Sequence, residues 1–188
     1  MTNDILTSEW QELEKQCAEC KRCSLWENRK NVVIGRGSKT ADLMLVGEAP
    51  GEEEDKQGRA FVGKAGQLLS MALSSLSIEE KDYYICNVIK CRPQNNRTPY
   101  EEEIESCMPY LDRQIDLVKP KIIILLGNTA ASSLIRKNIR ITQQRGTWDV
   151  YKGIPVIMTY HPAALLRDES KKIDMWRDIK SAWKRLKG

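Results

Sequence analysis

The sequence predicts an α/β fold in which helices cover both faces of a central, mainly parallel, four-stranded sheet, giving three layers in the order α/β/α. Four short apolar runs, rich in Ile, Leu, Val or Tyr, have the length and composition of buried strands. Longer segments with helical spacing lie between these runs. Strands that alternate with helices usually pair in parallel, with helices packed on both sides of the sheet.

The predicted elements follow one another without an internal repeat, low-complexity segment or linker. The strands are predicted at residues 41–46, 82–86, 121–126 and 155–160. The helices are predicted at residues 7–21, 65–76, 100–118, 129–136 and 171–186. A chain of 188 residues can bury a core of its own, so we expect one domain spanning residues 1–188.

Composition narrows the class of protein. Hydrophobic residues make up 41% of the chain, which is typical of a folded protein, and no run of about 18 apolar residues predicts a membrane span. The N-terminus lacks the basic and then apolar pattern of an export signal, so we expect a cytoplasmic protein. The net charge of +4 is compatible with nucleic-acid binding and equally with an ordinary surface.

The first predicted helix runs into a segment rich in cysteine. Six cysteines in a chain without an export signal indicate metal or redox chemistry rather than structural disulfides. Cys20 and Cys23 have the spacing of a ligand pair, and Cys91 and Cys107 form a plausible second pair. Four thiolates suit either an iron–sulfur cluster or structural zinc, and spacing alone does not separate the two.

Alternatives to this ligand set remain open at this point. Cys17 rivals Cys23, because the spacing from Cys17 to Cys20 equals the spacing from Cys20 to Cys23. Cys86 lies inside a predicted strand, which favours a small core residue. Buried thiols without a ligand would account for all six cysteines as well.

The predicted sheet places polar residues at one edge. In a parallel sheet the carboxyl ends of the strands share an edge, and ligands bind there. The residues that follow the four runs are GEAP at 47–50, Asn87, GN at 127–128 and HP at 161–162. We therefore expect one site assembled from Glu48, Asn87 and His161, the only histidine of the chain.

The loop after the first strand is rich in glycine and polar residues. It contains Phe61, the only phenylalanine of the chain, in a polar setting rather than in an apolar stripe. Its GxxxG spacing at 47–51 lacks the Gly-Lys-Ser/Thr ending of a phosphate loop and differs from the dinucleotide-binding pattern. Taken by itself, the turn fits a structural role as well as a ligand-binding one.

Three segments together resemble the signature motifs of the family-4 uracil-DNA glycosylases. The first is GEAPG at 47–51 followed by acidic residues and GRAFVG at 58–63. The second is NVIKCRP at 87–93, with Asn95 and Arg97 just beyond, and the third is HPAALLR at 161–167. The motifs occur in the family's order, and the resemblance extends from about Cys20 to the C-terminus.

This resemblance implies a uracil-DNA glycosylase-like fold and a DNA repair enzyme. Such an enzyme flips uracil out of DNA and hydrolyses its N-glycosidic bond, leaving an abasic site. The resemblance also implies a 4Fe–4S cluster held by Cys20, Cys23, Cys91 and Cys107, with Cys17 and Cys86 outside the ligand pattern. The expected role of the cluster is structural, tying the N-terminal segment to the region after the second strand.

Each step of uracil excision has a candidate residue. Phe61 offers a flat face for stacking, and Asn87 can accept from uracil N3–H and donate to O4, a pattern that cytosine reverses. His161 is expected to donate to O2 as charge builds there, together with backbone groups of Gly47, Glu48 and Ala49. Ala49 stands where family-1 enzymes carry an aspartate.

Glu48 is the candidate that positions water or stabilises the sugar cation. The missing aspartate at position 49 leaves nearby carboxylates as alternatives. These are Glu52, Glu53, Glu54 and Asp55. A solvated acidic turn is the simpler interpretation for at least two of them.

DNA contacts are expected from basic residues around these motifs. The basic candidates are Arg59, Lys64, Arg92 and Arg167, with Lys56 and Arg97 as further cations. Leu165 is the candidate for insertion into the space that the base leaves, and Leu166 or Arg167 could serve instead. Alternatively, Leu165 and Leu166 belong to the core.

Two other functions compete with uracil excision. One is a non-catalytic iron–sulfur or zinc module that binds nucleic acid, and the other is a glycosylase or nucleotide hydrolase acting on a different base. The expected partner is uracil-containing DNA, and nothing in the sequence demands more than a monomer. No lysine stands at a predicted strand end, so we expect a monofunctional enzyme without lyase activity.

Overall fold

The central sheet has six strands rather than the four predicted. In the computed structural model, which describes residues 2–135 and 138–188, the strand order is β1-β3-β2-β4-β6-β5. The strands are β1 (Arg36–Gly37), β2 (Leu43–Gly47), β3 (Tyr83–Asn87), β4 (Ile122–Leu126), β5 (Trp148–Tyr151) and β6 (Ile154–Thr159). The four predicted strands are confirmed as β2, β3, β4 and β6, which pair in parallel.

The two additional strands lie at the edges of the sheet. β1 pairs antiparallel with β3, and β5 pairs antiparallel with β6. β1 has two residues, and β5 is exposed or half-buried over most of its length. The prediction missed both because edge strands carry charged side chains such as Arg36 and Asp149 and therefore form no continuous apolar run.

Eight helices surround the sheet in the described residues. They are α1 (Thr2–Ala18), α2 (Glu52–Gln57), α3 (Lys64–Ser74), α4 (Glu101–Val118), α5 (Asn128–Ile135), α6 (Ile141–Gln144), α7 (Pro162–Leu165) and α8 (Lys171–Lys187). The five predicted helices are confirmed as α1, α3, α4, α5 and α8, with shifted ends; residue 136 of the fourth lies outside the described residues. The three-layer α/β fold is confirmed.

Helix α2 corrects the interpretation of its acidic residues as a turn. Glu52, Glu53 and Glu54 occupy the first turn of a helix that begins after Gly51 and ends at Gly58. Carboxylates are favourable at this end because the helix N-terminus carries partial positive charge. Gly58 has a φ of 70°, a left-handed conformation that ends the helix.

The register of the sheet brings the predicted site together. β2 and β3 pair so that Gly47 lies beside Asn87, and β4 and β6 pair so that Leu126 lies beside Thr159. All four parallel strands therefore end at one edge. Glu48 and His161 follow closely behind β2 and β6 at that edge. Within the described residues, no helix has the length and apolar character needed to cross a bilayer.

Candidate active site

An open cavity lies at the carboxyl edge of the sheet. Its walls include Glu48, Phe61, Asn87 and His161, which the sequence predicted to meet there. Ala49 lines it as well, together with the backbone of the loop that leads from β2 into α3. Four separate segments of the chain thus contribute side chains to one concave surface, which is the usual setting of a small-molecule or nucleobase site.

Gly47 lets two of these side chains approach the sheet. A Cβ atom at this position would lie 2.5 Å from Cζ of Phe61 and 2.6 Å from Oδ1 of Asn87. Any side chain here would therefore push the phenyl ring or the amide out of place. Gly47 acts through the absence of a side chain, which places the ring and the amide side by side.

The side-chain oxygen of Asn87 has no hydrogen-bond partner among the residues that the structure describes. The residue is only 1% exposed, and its Oδ1 atom is buried without a hydrogen bond. An unpaired acceptor at this depth costs free energy of about 1–3 kcal/mol. A ligand that brings an N–H donor into the cavity would recover that cost, so the site selects for a donor at this point.

Phe61 is held in an unusual backbone conformation. Its φ is 55°, in the left-handed region that residues with side chains rarely adopt. Gly66 permits this, since a Cβ there would lie 1.9 Å from the carbonyl oxygen of Phe61. Arg36 also donates to the carbonyl oxygens of Ala60 at 2.7 Å and Phe61 at 3.4 Å. Strain of this kind, retained by surrounding contacts, is typical of functional loops.

The hydrogen bonding of His161 defines its tautomer. Its Nδ1 atom accepts from the backbone N–H of Ala163 at 3.2 Å, where it caps α7. Burial, with a smaller contribution from Arg167, lowers the pKa of His161 to about 4. At neutral pH the ring is therefore uncharged, with Nδ1 as acceptor and Nε2 carrying the proton. The imidazole thus has an N–H to donate into the cavity.

Glu48 is tied to a residue that the sequence analysis did not single out. The hydroxyl of Thr129, in the first turn of α5, donates a hydrogen bond to Oε2 of Glu48. The two residues are 81 positions apart in the chain, so no local pattern joins them. The only available signal was that Thr129 lies shortly after the end of the third predicted strand.

The alternative carboxylates near Glu48 are engaged elsewhere. Glu54 accepts from the backbone N–H groups of Gly51, Val62 and Gly63 at 3.1, 2.9 and 2.7 Å. Asp55 is buried and accepts from the backbone of Lys30. The remaining two both pair with Lys56: Glu52 at 2.8 Å and Glu53 at 3.0 Å. Glu48 is thus the carboxylate of this group whose contacts favour a catalytic role.

The predicted DNA-contacting cations divide into two groups. Lys64 and Arg167 line the cavity. Arg59 instead pairs with Glu80 at 3.1 Å, and Arg92 bonds to Asn96 at 2.8 Å, and neither lines the cavity. Arg97 lines it, but its guanidinium makes two hydrogen bonds to the buried Glu103, at 2.8 and 2.6 Å. The structure therefore favours Lys64 and Arg167 for contacts close to the flipped nucleotide.

The assignment of Leu165 as the inserting residue requires correction. Leu165 is 1% exposed and belongs to the hydrophobic core, where α7 packs against α3. Its neighbour Leu166 is 49% exposed. Because a side chain in the core cannot enter DNA without unpacking, the alternative residue Leu166 is the better candidate.

The four predicted ligand cysteines line a second cavity. Cys20, Cys23, Cys91 and Cys107 share its walls with Cys17, whereas Cys86 is buried in β3 outside it. Burial raises the pKa of Cys107 to about 11. In the described residues, no three or more His, Cys, Asp or Glu side chains are arranged to hold a single metal ion.

Three cations, Arg22, Arg29 and Lys90, line the cysteine cavity. Arg29 donates to Sγ of Cys91 at 3.2 Å, and Lys90 is 2% exposed. The ammonium of Lys90 donates to the carbonyl oxygen of Asn87 at 2.5 Å. A buried ammonium needs compensating negative charge, which thiolates in this cavity would supply. Lys90 thus links the cysteine cavity to Asn87, whose side chain lines the active-site cavity.

Comparison with known proteins gives consistent matches. The family model described as the uracil DNA glycosylase superfamily matches residues 34–187. The chain is 48% identical to the type-4 uracil-DNA glycosylase of Saccharolobus solfataricus, over 79% of this chain and 73% of the relative. It is 46% identical to that of Thermotoga maritima, over 86% and 85% of the two chains. With the Sulfurisphaera tokodaii protein of the same name, identity is 45% over 90% and 81%.

Proposed function

The chain belongs to the uracil-DNA glycosylase superfamily, in its type-4 group, and we propose that it removes uracil in the cavity formed by Glu48, Phe61, Asn87 and His161. It is a DNA repair glycosylase. The observation that carries the assignment of the site is the buried, unpaired Oδ1 of Asn87. That acceptor sits beside an aromatic ring, at the depth where a flipped base would lie.

Uracil recognition follows from the chemistry of this acceptor. The N3–H group of uracil can donate to Oδ1 of Asn87 while the base stacks against Phe61. Cytosine presents an unprotonated N3 instead, so two acceptors would face each other in a buried place. Leaving a buried polar group unpaired is costly, and sites built this way discriminate strongly.

Departure of the base requires stabilisation of negative charge on uracil. The C1′–N1 bond breaks and both electrons pass to the base, whose charge spreads to O2. His161 is neutral, and because its Nδ1 accepts from the N–H of Ala163, its proton is on Nε2 and can be donated to O2. We propose that backbone N–H groups of Glu48 and Ala49, in the turn after β2, share this role.

The sugar cation left behind is attacked by water. Glu48 positions this water or stabilises the positive charge on the sugar, and its oxygen Oε1 is available because Oε2 is held by Thr129. The water oxygen bonds to C1′, and one proton is released, which the uracil anion finally takes up. The products are free uracil and an abasic site, so no covalent enzyme intermediate is required.

DNA around the flipped nucleotide is held mainly by charge. Lys64 and Arg167 border the cavity and are suited to the phosphates on either side of the flipped nucleotide. Leu166, exposed next to Arg167, is suited to fill the gap in the base stack. We also retain cytoplasmic localisation and action as a single-domain monomer as proposals, because uracil excision needs access to DNA and this chain supplies every group used above.

We propose that the cysteine cavity holds a 4Fe–4S cluster. Cys20, Cys23, Cys91 and Cys107, which line the cavity together, would bind it as thiolates. The buried Lys90 and the Arg29 contact to Cys91 suit the negative charge of such a cluster. When bound, the cluster supplies cross-links between the N-terminal segment and the residues after β3.

An oligonucleotide assay tests the proposed function. Purified protein is incubated with labelled strands that contain one uracil opposite guanine, opposite adenine, or unpaired, beside matched cytosine and thymine strands. We expect breakage of the uracil strands alone, and only after alkali treatment of the abasic sites. Breakage without alkali, or none at all with folded protein, would contradict a monofunctional uracil glycosylase.

The variant Asn87→Asp tests the base-recognition role in the same assay. A protonated aspartic acid can donate to N3 of cytosine, so we expect cytosine to become a detectable substrate while uracil excision falls by about 10- to 100-fold. The conservative control is Asn96→Asp, at a residue of the cavity rim. Unchanged base preference in Asn87→Asp would contradict the recognition role.

A further inference from the structure

The contact between Thr129 and Glu48 joins two neighbouring strand ends. β2 and β4 are adjacent and parallel, with Val46 beside Leu125, so the chain segments that follow them run side by side. The segment after β2 carries Glu48, and the segment after β4 turns into α5. The Thr129 hydroxyl in that first turn reaches Oε2 of Glu48.

We propose that Thr129 is the positioning residue of the Glu48 carboxylate, holding Oε2 so that Oε1 faces the reacting sugar. This inference rests on the proposed role of Glu48. A glutamate side chain has three rotatable bonds, and an unrestrained carboxylate would spend most of its time in other orientations. One fixed oxygen reduces this freedom strongly, which is the preorganisation that catalysis needs.

The surroundings support this assignment over a capping role. The Thr129 hydroxyl is a donor to a carboxylate here, rather than an acceptor for the backbone N–H groups of α5. The carboxylate also lies beside the first turn of α5, where the partial positive charge of a helix N-terminus favours an anion. Gly127, two residues earlier, has a φ of 90°, and a Cβ there would lie 2.9 Å from Cβ of His161. The same turn therefore supports both proposed catalytic side chains.

The variants Thr129→Val, Thr129→Ala and Thr129→Ser separate the hydroxyl from the rest of the side chain. Because the Glu48 carboxylate acts on the transition state, we expect Val and Ala to lower kcat by about 10- to 100-fold. KM should change by less than about threefold. Serine retains the hydroxyl, so it should recover most of the rate. Serine and alanine differ only in that oxygen, so this pair decides the question even if the valine variant does not fold.

A double-mutant cycle with Glu48→Ala provides the readout that a purely structural role would not give. Once the carboxylate is absent, the hydroxyl has nothing to position, so adding Thr129→Val should change the residual rate by less than about twofold. Equal losses in the two backgrounds would overturn the inference, and so would a Thr129→Ala variant as active as Thr129→Ser.

The cycle also separates this inference from the proposed function. If Glu48→Ala loses most of its rate while the Thr129 variants do not, Glu48 keeps its role and only the positioning by Thr129 is wrong. If Glu48→Ala itself remains fully active, the proposed role of Glu48 is wrong, and the inference about Thr129 fails with it.

Discussion

Two glycines determine how closely the side chains of the active site approach the sheet. Gly47 leaves room for the ring of Phe61 and the amide of Asn87, and Gly127 leaves room for His161. Glycine is required at position 47 only because the neighbouring side chains approach so closely. Gly127 also has a positive φ of 90°, a conformation that favours glycine. The sequence marked both as residues near strand ends, but the atoms that they accommodate come from distant segments.

His161 makes the stability of the protein depend on pH. Its pKa in the folded protein is about 4, against an ordinary value of 6.5, because burial disfavours the charged ring. Between these values the unfolded chain binds more protons than the folded one, so the free energy of unfolding rises with pH. We therefore expect stability to fall as the pH is lowered from about 6.5 to about 4.

Urea unfolding at several pH values measures this effect. The variant His161→Asn cannot titrate in this range, so its unfolding free energy should lose less between pH 6.5 and 4 than that of the wild-type protein. Identical pH profiles for the two proteins would show that His161 is not held neutral by its surroundings.

Among the helices, α2 has a function that its length does not suggest. It has six residues, and one of them, Glu54, accepts from the backbone N–H groups of Val62 and Gly63 in the loop that carries Phe61. Glu54 also accepts from the N–H of Gly51, at the start of the helix itself. A short helix after β2 therefore holds the loop that follows it, through hydrogen bonds to Val62 and Gly63. The acidic residues that resembled a solvated turn in the sequence include the carboxylate that holds this loop in place.

The variant Glu54→Gln tests this role of α2. The amide keeps one acceptor but turns an NH₂ group toward a backbone donor, so we expect a loss of about 1–3 kcal/mol in the free energy of unfolding. KM for uracil-containing DNA should rise, since Phe61 is held less firmly. The matched control is Glu53→Gln in the same helix, whose carboxylate pairs with the exposed Lys56. Equal effects of the two substitutions would show that the Glu54 carboxylate does not hold the loop in place.

For the molecule as a whole, the cysteine cavity connects parts of the chain that are far apart in sequence. It joins the end of α1 to the segment after β3 and to α4. A bound cluster would stabilise the folded state, because its ligands come together only there. Lys90 extends this connection to the carbonyl group of Asn87 and hence to the active-site cavity.

Substitution of single cysteines tests the proposed ligand set. We expect Cys107→Ala to lose iron, visible absorbance and several degrees of melting temperature. Cys17→Ala, at the fifth cysteine of the same cavity, should retain the iron. Measuring iron content and thermal unfolding for both variants shows which cysteine binds the cluster. Retained iron in Cys107→Ala together with its loss in Cys17→Ala would replace Cys107 by Cys17 in the ligand set.

The architecture, and the meeting of most of the candidate site residues, could be predicted from the amino-acid sequence. Apolar runs and helical spacing are properties of neighbouring residues, so they located the four parallel strands and five of the helices. Because parallel strands end at a common edge, the meeting of Glu48, Asn87 and His161 also followed from their positions in the chain. Phe61 was predicted from a different signal, the motif of its polar loop, and it lines the same cavity.

Which of these side chains are free to act and which are occupied depends on the folded protein. Leu165 and Leu166 are adjacent and chemically alike, yet one is in the core and the other is exposed. Among neighbouring carboxylates, Glu54 holds a loop and Glu48 is held by Thr129 from 81 residues away. Such choices depend on contacts between distant segments, which form only after the chain has folded and therefore leave no local pattern in the sequence.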